Sequence, residues 1–561
     1  MTGKTEIITF DGRSIEARHG ESLAAALTAA GIRQFRTTAH DAPRGMFCGM
    51  GVCQDCLVEV DGRANERACM VKVTGPLVAR SEAHARPLDV TQSAGSPKTI
   101  EDVRLMQPEV LVIGAGPGGL SAAIAACSGG AEVLMIDERS KPGGQYFKQP
   151  DVDGKGVMPP DAQHREGAAL VERARAIGVK ILNDVTVWGA FAPLEFAATH
   201  NGAALRIRPK RAIIATGAYE RGWPVPGWTL PGVMTTGAAQ TLWRTARRIP
   251  GKRVLIAGNG PLNLQLAAEL ADGGSEIVAV VEAAAAPGAG AIGELATMAF
   301  ASPKLVLDGI RYHRKRRKAG APMIHGAVVR GIERDGGGLT VSIGAADGGE
   351  PSGRYTVDAV CLGYGFEPAN ELLRGLGCGH DFDPQRRQLV TRRDATGQTT
   401  VSDVYALGDC TGLGGARAAL AEGSVIGSNV AASLGHAASG EAGATAALAR
   451  HRRFQSALWR LYAFDGYHPS LANRETLVCR CEEVSFGEIE DALAEDLSMI
   501  GAVKRYTRVG MGRCQGRYCA PVLDTLMAAR AGRQRNEFSG FAPRVPVRPV
   551  RIADIAGETV E

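Results

Sequence analysis

The hydrophobic pattern is clearest in Val110–Ile113, four apolar residues that lead directly into a glycine-rich turn. An unbroken apolar run of this length predicts a strand that is buried on both faces of a parallel sheet. A helix over 120–127 and a strand over 132–136 follow the turn. The segment therefore predicts a β-turn-α-β unit.

The turn in this unit fits the dinucleotide-binding pattern G-x-G-x-x-G. The first glycine allows the tight turn, the second lets a pyrophosphate approach the backbone, and the third lets the helix pack closely on the strand. The N–H groups at the start of the helix point at the phosphates. A carboxylate at the end of the second strand can accept the ribose hydroxyls. The predicted nucleotide contacts are Gly114, Gly116, Pro117, Gly118, Gly119, Asp137 and Glu138.

A second β-turn-α-β unit is predicted from a strand over 252–257 and a strand over 276–281. Gly258 and Gly260 lie in its turn and Glu282 follows its second strand, which is the shape of an NAD-type site. Asn263 stands at the third glycine position, so the helix packs less closely on the strand. Two interpretations remain open: a working NAD(P)H site, and a retained scaffold that docks a partner or holds the neighbouring domain.

The first hundred residues contain a predicted hairpin over 6–17, a helix over 21–30 and four cysteines in the pattern C-x4-C-x2-C-x12-C. The first three spacings are those of the plant-type [2Fe–2S] loop. The predicted ligands are Cys48, Cys53, Cys56 and Cys69. A zinc site is the alternative, although tetrahedral zinc usually takes two separated pairs of ligands.

A second group of four thiols follows a helix predicted over 447–464. Its pattern is C-x-C-x32-C-x4-C, and the predicted ligands are Cys479, Cys481, Cys514 and Cys519. Four thiolates form a closed set for either an iron–sulfur cluster or zinc. The Pro- and Arg-rich stretch 541–551 predicts an extended tail that docks on the body of the protein or on another subunit.

Composition narrows the class of protein. The 561 residues include 72 glycines, 45% hydrophobic residues and only 5% aromatic residues, which favours an α/β protein of three or four domains. A net charge of +5 is small for this length and argues against dedicated nucleic-acid binding. The one dense basic run, 311–318, is interpreted as a solvated helix face.

Cysteine use and hydropathy indicate the compartment. Eight of the twelve cysteines fall into the two groups of four, which in a chain without an export signal indicates metal ligands rather than disulfides. No apolar run reaches the roughly 18 residues of a membrane span. The N-terminus lacks the apolar core of a signal peptide. We therefore expect a cytoplasmic protein, peripheral to the inner membrane only through its electron acceptor.

Three further segments resemble the two-dinucleotide flavoproteins of the glutathione-reductase type. They are the stretch after Glu138 with Gly144 and Gln145, the Ala-Thr-Gly crossing with Thr216 and Gly217, and the late strand that ends in Gly408 and Asp409. The resemblance implies FAD in the first site and a second domain inserted into the first. The flavin domain lacks the C-x-x-C or C-x4-C pair of the disulfide reductases, which argues against thiol–disulfide chemistry.

The C-terminal cysteine module resembles the BFD-like (bacterioferritin-associated-ferredoxin-like) fold, a small helical [2Fe–2S] domain. With the N-terminal β-grasp [2Fe–2S] module, the fold class is α/β, a two-dinucleotide-domain flavoprotein with an iron–sulfur domain at each end. The predicted boundaries are 1–90 for the ferredoxin-like domain, 91–107 for a linker, 108–250 and 351–435 for the FAD domain, 251–350 for the inserted domain, 436–472 for a connecting helix, 473–530 for the BFD-like domain and 531–561 for the tail.

The chain from the flavin domain onward resembles the large subunits of hydrogen cyanide synthase, opine oxidase (octopine/nopaline dehydrogenase) and dye-linked proline or hydroxyproline dehydrogenases. Segments 479–484 and 507–519 carry this resemblance most specifically. It implies an electron-transfer subunit with a partner catalytic flavoprotein of the D-amino-acid-oxidase fold. It also implies hetero-oligomers, FMN at a subunit interface, and a quinone, cytochrome or dye-like acceptor.

Several points stay open at the level of sequence. Some relatives hold NAD or ATP in place of FAD in the first site, and NAD(P) in the second site is undecided. No catalytic residue is assigned. A self-contained NAD(P)H:acceptor oxidoreductase is the second hypothesis, and a redox-sensing or cluster-assembly protein is the third.

Overall fold

The computed structural model describes a chain of two nested nucleotide-binding domains with a cysteine-rich module at each end. The described residues are 4–81, 103–152, 160–191, 194–347, 350–440, 442–495, 497, 499–531 and 534–556. Within these ranges, no helix has both the length and the apolar character needed to cross a membrane.

The N-terminal module is a five-stranded mixed sheet with one helix packed across it. The strands lie in the order Arg13–Arg18, Thr5–Phe10, Leu77–Ser81, Leu57–Val60 and Arg63–Arg67. The helix spans Leu23–Ala29, and the Ser22 side chain caps its first turn by accepting from the Ala25 N–H. A two-stranded ribbon, Arg36–Thr37 with Pro43–Arg44, precedes the cysteine loop.

The first nucleotide domain has a five-stranded parallel sheet. Its strand order is Lys180–Leu182, Val133–Ile136, Val110–Ile113, Arg211–Ile214 and Val404–Ala406. The helices Pro117–Gly129, Ala162–Ala176 and Ala416–Ser433 belong to this domain. Since Val404–Ala406 completes the sheet from far downstream, the domain is split by an insertion.

A second, four-stranded sheet lies beside it, in the order Val185–Phe191, Glu195–His200, Ala203–Ile207 and Arg104–Met106. The end of the segment predicted as a linker, 91–107, carries the last of these strands, since 104–106 pair in parallel with 205–207. Three residues are too few to show strand periodicity in the sequence. The earlier part of that linker, 91–102, lies outside the described residues.

The inserted domain has its own five-stranded parallel sheet, in the order Val233–Thr235, Ala359–Gly363, Arg253–Gly258, Glu276–Glu282 and Met323–His325. Its helices are Thr236–Ala246, Pro261–Asp272, Ile292–Ala301 and Pro303–Lys318. An antiparallel sheet of Val328–Asp335, Gly338–Gly344 and Gly353–Val357 covers one side. The two crossings between domains, Ala218–Glu220 and Phe366–Pro368, pair antiparallel.

The remaining elements surround this pair of domains. A short helix, Glu371–Gly375, precedes the hairpin His380–Asp383 with Gln388–Thr391. The connecting helix spans Ala444–Leu461, earlier at both ends than the predicted 447–464. The C-terminal module comprises the ribbon Leu477–Cys479 with Val484–Ser485 and the helices Phe486–Ala494, Ile500–Thr507 and Ala520–Ala531. A final short helix, Ile552–Ala556, lies beyond it and contacts strand Ala203–Ile207.

The tail docks on the body of the same chain. The Val547 N–H donates to the Trp188 carbonyl at 2.7 Å, and the Val547 side chain is buried in the core of the first nucleotide domain. Arg517 donates to the Val547 carbonyl at 3.0 Å. Between helices Ala520–Ala531 and Ile552–Ala556, the described part of the tail forms neither helix nor strand and contains turns and bends, so it is not uniformly extended.

Backbone packs directly on backbone between helices Pro117–Gly129 and Ala416–Ser433. A Cβ added at Gly423 would lie 2.2 Å from the Gly118 carbonyl oxygen, and one at Gly427 would lie 2.2 Å from the Ala122 carbonyl oxygen. Side chains at these positions would force the two helices apart. Glycines of the later helix thus allow it to pack closely against the helix that follows the nucleotide-binding turn.

We expect Gly427→Ala to destabilise the protein by about 1–3 kcal/mol, since an overpacked site must move its neighbours. Gly309→Ala, in helix Pro303–Lys318, is the matched control, because a Cβ there meets no atom within 4 Å. It removes a helix-interior glycine and should stabilise by about 0.5–1 kcal/mol. Thermal unfolding of the two variants checks the prediction, and a shift of the same sign in both would contradict it.

Candidate functional site

A cavity of about 1840 Å³ lies where the two nucleotide domains meet. Pockets for drug-sized ligands measure roughly 300–1,000 Å³, so this cavity has room for an extended cofactor and more. Both glycine turns, the two domain crossings and the connecting helix contribute to its wall.

The first glycine turn has the close backbone packing that a phosphate-binding turn requires. A Cβ at Gly119 would lie 1.9 Å from the Gly114 carbonyl oxygen, so only glycine allows the helix to approach the strand this closely. Gly116 and Gly144 face each other, and a Cβ at Gly144 would lie 2.7 Å from the Gly116 Cα. No side chain caps the helix that begins at Pro117. Its first N–H groups therefore remain for an anionic ligand, as a pyrophosphate requires.

The two acids after the second strand have different roles. The Asp137 carboxylate accepts from the Ala115 N–H at 2.6 Å and from the Arg139 N–H at 2.9 Å, so it braces the turn. Glu138 lines the cavity beside Arg548, with 3.5 Å between Oε1 and Nη2. Burial opposes ionisation of Glu138, but the charges of Arg548 and other arginines outweigh it and lower its pKa. Glu138 is thus the carboxylate available to ribose hydroxyls.

The other residues predicted for the first site also line this cavity: Gly114, Gly116, Pro117, Gly118, Gly119, Gly144, Gln145, Thr216, Gly217, Gly408 and Asp409. One Asp409 carboxylate oxygen accepts from the Gly414 and Gly415 N–H groups at 2.9 and 2.8 Å. The Thr216 hydroxyl donates to the Ala369 carbonyl at 2.6 Å and ties the crossing to its return strand. This donor set fits a dinucleotide that runs from Glu138 to Asp409.

Sequence reasoning missed three residues in the cavity wall. Arg548, from the tail, lies beside Glu138, and its Nη1 atom is buried with no partner among the described residues. Arg517 pairs with Glu371 at 2.8 Å. Lys148 is 3% exposed and donates to the Gln145 carbonyl at 3.1 Å, and burial lowers its pKa to about 7. Of these three residues, only Arg548 lies in a segment that the sequence singled out, the Pro- and Arg-rich stretch 541–551. Nothing in that stretch connected it with a nucleotide.

The second glycine turn differs from a free nucleotide site. The Glu282 carboxylate accepts from the Gly260 N–H at 3.1 Å and from the Ala284 N–H at 3.2 Å, and the residue is 2% exposed. Burial raises the pKa of Glu282 to about 7. A Cβ at Gly258 would lie 2.1 Å from the Gly363 carbonyl oxygen. The carboxylate that was expected to bind a ribose therefore accepts hydrogen bonds from backbone N–H groups of its own turn.

Asn263 has a structural role in that turn. It accepts from the Thr236 hydroxyl at 2.8 Å and donates to the Gly363 carbonyl at 3.2 Å. The side chain at the third glycine position therefore ties the helix to the neighbouring strand and helix through hydrogen bonds, where a glycine would allow direct backbone contact.

The N-terminal thiols Cys48, Cys53, Cys56 and Cys69 are all buried. They interact as two pairs, Cys48 with Cys53 and Cys56 with Cys69. The Cys53 N–H donates to the Cys48 sulfur at 3.3 Å. Two pairs suit a two-iron cluster, in which each iron takes two thiolates.

The C-terminal thiols follow the same arrangement, with Cys479 next to Cys519 and Cys481 next to Cys514. A Cβ at Gly512 would lie 2.2 Å from the Cys481 Cβ, so the two halves of the set pack tightly. Among the described residues, the ligand-type side chains do not converge in threes on a single ion position. Donor type and pairing fit a [2Fe–2S] cluster at each end of the chain.

The other four cysteines lie in separate places. The thiols of Cys127 and Cys410 donate to the carbonyls of Ile177 and Ile214 at 3.1 and 3.4 Å, and Cys378 donates to the Thr399 hydroxyl at 3.3 Å. Cys361 is fully buried in its strand. Burial raises the pKa of Cys410 to about 11. None of these thiols has the lowered pKa of a redox nucleophile.

Comparison with known proteins agrees with this geometry. A family profile described as pyridine nucleotide-disulphide oxidoreductase matches residues 108–425. A 2Fe-2S iron-sulfur cluster binding domain matches 5–84, and a BFD-like [2Fe-2S] binding domain matches 477–529.

Individual relatives were also found. An opine oxidase subunit from Agrobacterium tumefaciens is 34% identical over 467 residues, which cover 80% of this chain and 91% of that protein. Hydrogen cyanide synthase subunit HcnB of Pseudomonas aeruginosa is 28% identical over 456 residues, covering 78% and 96%. The crystal structure of L-proline dehydrogenase from P. horikoshii has a TM-score of 0.71 at 20% identity, covers 99% and 98%, and shows a shared fold.

Fold and site together define a flavin-dependent oxidoreductase with an FAD-binding domain and two 2Fe-2S binding domains. The chain belongs to the pyridine nucleotide-disulphide oxidoreductase family, in the group that includes this opine oxidase subunit. The fold class and the family predicted from the sequence are confirmed.

We expect Glu138→Gln to weaken flavin binding by about 10- to 100-fold, because a charge-assisted hydrogen bond contributes about 1.5–3 kcal/mol. The Tm of the flavin-free protein should fall only slightly, because the lost ion pair with Arg548 is long, at 3.5 Å, and partly exposed. Asp137→Asn is the matched variant and should lower that Tm, since it places an amide among the donors of the turn. Flavin titration and thermal unfolding check both. Unchanged flavin binding in Glu138→Gln would contradict the assignment.

Proposed function

We propose that this chain is the electron-transferring subunit of a multisubunit dehydrogenase for amines or amino acids. It takes electrons from a partner catalytic subunit, then passes them to a quinone, cytochrome or dye-like acceptor. The observation that carries the proposal is that one cavity is lined both by the flavin-binding turn and by loops from the two cysteine modules.

Those loops reach the cavity from opposite ends of the sequence. Met50 and Val52 lie between Cys48 and Cys53, and Arg517 lies between Cys514 and Cys519. A bound flavin accepts electrons as a pair and releases them singly, which suits clusters that carry one electron each. The chain's own residues bring both ligand loops to one cavity and bury seven of the eight thiols from water, while Cys481 is partly exposed.

The substrate class is inferred from the names of the relatives. Opine oxidase and L-proline dehydrogenase are named for opines and L-proline, compounds with a CH–NH group. Two relatives are named as subunits of larger enzymes. These names support a donor of the CH–NH or CH–NH2 type and a multisubunit enzyme. The family resemblance of the sequence implies that the partner has the D-amino-acid-oxidase fold.

An exposed apolar face supports the partner. The face consists of Ile292, Leu295, Phe300, Leu307 and Ile310, and Phe300 is 89% exposed. Leu295, Leu307 and Ile310 also line the cavity, so a protein seated on this face would cover the cavity mouth. Large exposed apolar patches of this kind mark interaction surfaces.

The rim of this face is basic. Helix Pro303–Lys318 continues into Arg311, Arg314, Lys315 and Arg317, all exposed. We therefore infer an apolar surface with an acidic border on the partner. The proposal includes an FMN at this boundary, on the side of the cavity formed by residues 304–313 and 451–465.

The second nucleotide unit acts as a scaffold in this proposal, because Glu282 is bonded to its own turn. Purified anaerobically and alone, the chain should hold about four iron atoms, two for each [2Fe–2S] cluster, together with its flavin. Neither NADH nor NADPH should bleach that flavin rapidly. Rapid bleaching would support a self-contained NAD(P)H:acceptor oxidoreductase.

We expect Phe300→Asp to weaken binding of the partner by about 30-fold or more, the cost of losing an interface hot spot. Phe538→Asp is the matched control, since Phe538 is 82% exposed on another part of the surface. Co-purification from native cells with each variant in place of the wild type checks this. Equal recovery of the partner with both variants would show that it docks elsewhere, and a wild-type chain recovered alone would contradict the subunit role.

A further inference from the structure

The two cysteine modules contact each other through their ligand loops. The Cys481 sulfur lies 3.9 Å from the Cys53 carbonyl oxygen. The residue between Cys479 and Cys481 is Arg480, and Asp55 lies between Cys53 and Cys56. The Nη2 atom of Arg480 is 2.6 Å from the Asp55 carboxylate, so an ion pair joins one ligand loop to the other.

Arg480 is held on every side. Its Nε atom donates to the same carboxylate at 2.7 Å, and Nη1 donates to the Trp228 carbonyl at 2.8 Å. The guanidinium lies 3.8 Å from the ring centroid of Phe47 and 4.6 Å from that of Trp228. The side chains of Arg480 and Asp55 are only 3% and 1% exposed.

A second ion pair crosses the same interface with the charges reversed, so that here the N-terminal module supplies the cation. Arg44 of the N-terminal module pairs with Glu483 of the C-terminal module at 2.8 Å, and the Thr38 hydroxyl donates to Glu483 at 2.9 Å. Each module therefore supplies one cation and one anion. This reciprocity fixes a single docking register for the two loops.

Buried ion pairs add little net stability, because desolvation offsets much of their attraction. Their well-attested use is to specify one arrangement among several. A hydrophobic contact would hold these modules together equally well, but it would not place a positive charge between two thiolate sets. Cluster potentials depend on nearby charge and on burial.

We propose that the two thiol sets form one electron-transfer unit, and that the Arg480–Asp55 pair is the positioning element that fixes their spacing and balances the charge between them. With a [2Fe–2S] cluster held by each thiol set, one electron would pass from the reduced cluster to the oxidised one, with no bond made and no proton transferred. This inference rests on the two 2Fe-2S binding domains and would stand if the chain had no partner subunit.

Electron paramagnetic resonance and redox titration of the full, iron-loaded chain test the proposal. The fully reduced wild type should show splitting or broadening from interaction between two reduced clusters. Arg480→Gln removes a positive charge and should lower both midpoint potentials. Asp55→Asn removes a negative charge and should raise them.

Shifts of opposite sign would distinguish an effect of charge from structural damage. Structural damage would shift the midpoint potentials of both variants in the same direction. Arg474→Gln is the control, because Arg474 makes an exposed ion pair with Asp491 in the same module and should leave the potentials unchanged. Additive spectra from non-interacting clusters would overturn the coupling. Shifts of the same sign in Arg480→Gln and Asp55→Asn, at full iron content, would overturn the role of the ion pair.

Discussion

The close approach of backbone to backbone around helix Pro117–Gly129 is the constraint on which the rest of the structure depends. Gly119 lets this helix sit against Gly114 of its own turn, and Gly423 and Gly427 let the later helix sit against it. These contacts fix the cradle for the phosphates. They also bring Asp409, which precedes the later helix, into the wall of the same cavity.

The two cysteine modules attach to the outside of this pair of nucleotide domains. Thr235, at the start of helix Thr236–Ala246, donates its N–H to the Phe47 carbonyl at 2.9 Å, next to Cys48. On the C-terminal side, the Trp228 indole donates to the Leu477 carbonyl at 2.6 Å, two residues before Cys479. Both modules are thereby anchored to the inserted domain, and their ligand loops meet beside the flavin cavity.

Much of the fold and of the candidate site could be predicted from the sequence, because the residues that identify them form short local patterns. The first glycine turn, the strand before it and the spacing of the eight cysteines each lie within a short stretch. The choice between Asp137 and Glu138 could not be made, since it depends on which carboxylate the Ala115 and Arg139 N–H groups occupy. The same holds for Glu282, whose partners are backbone groups of its own turn.

Individual side-chain contacts between separate modules were beyond prediction. Nothing around Arg480 in the sequence indicates Asp55, and nothing in the tail indicates that Arg548 reaches Glu138. Such pairs are set by how whole modules dock. Hydrophobic periodicity and motif spacing reflect local structure and do not indicate how modules dock. These ion pairs are therefore seen only in the folded structure.

The late position of strand Val404–Ala406 affects how the protein is made. The first nucleotide sheet cannot be completed on the ribosome until the entire inserted domain has been synthesised. Val547 and Arg548 close the nucleotide cavity later still. Since domains tend to fold in the order of synthesis, the inserted domain is free to fold first, and flavin capture becomes one of the last steps of biogenesis.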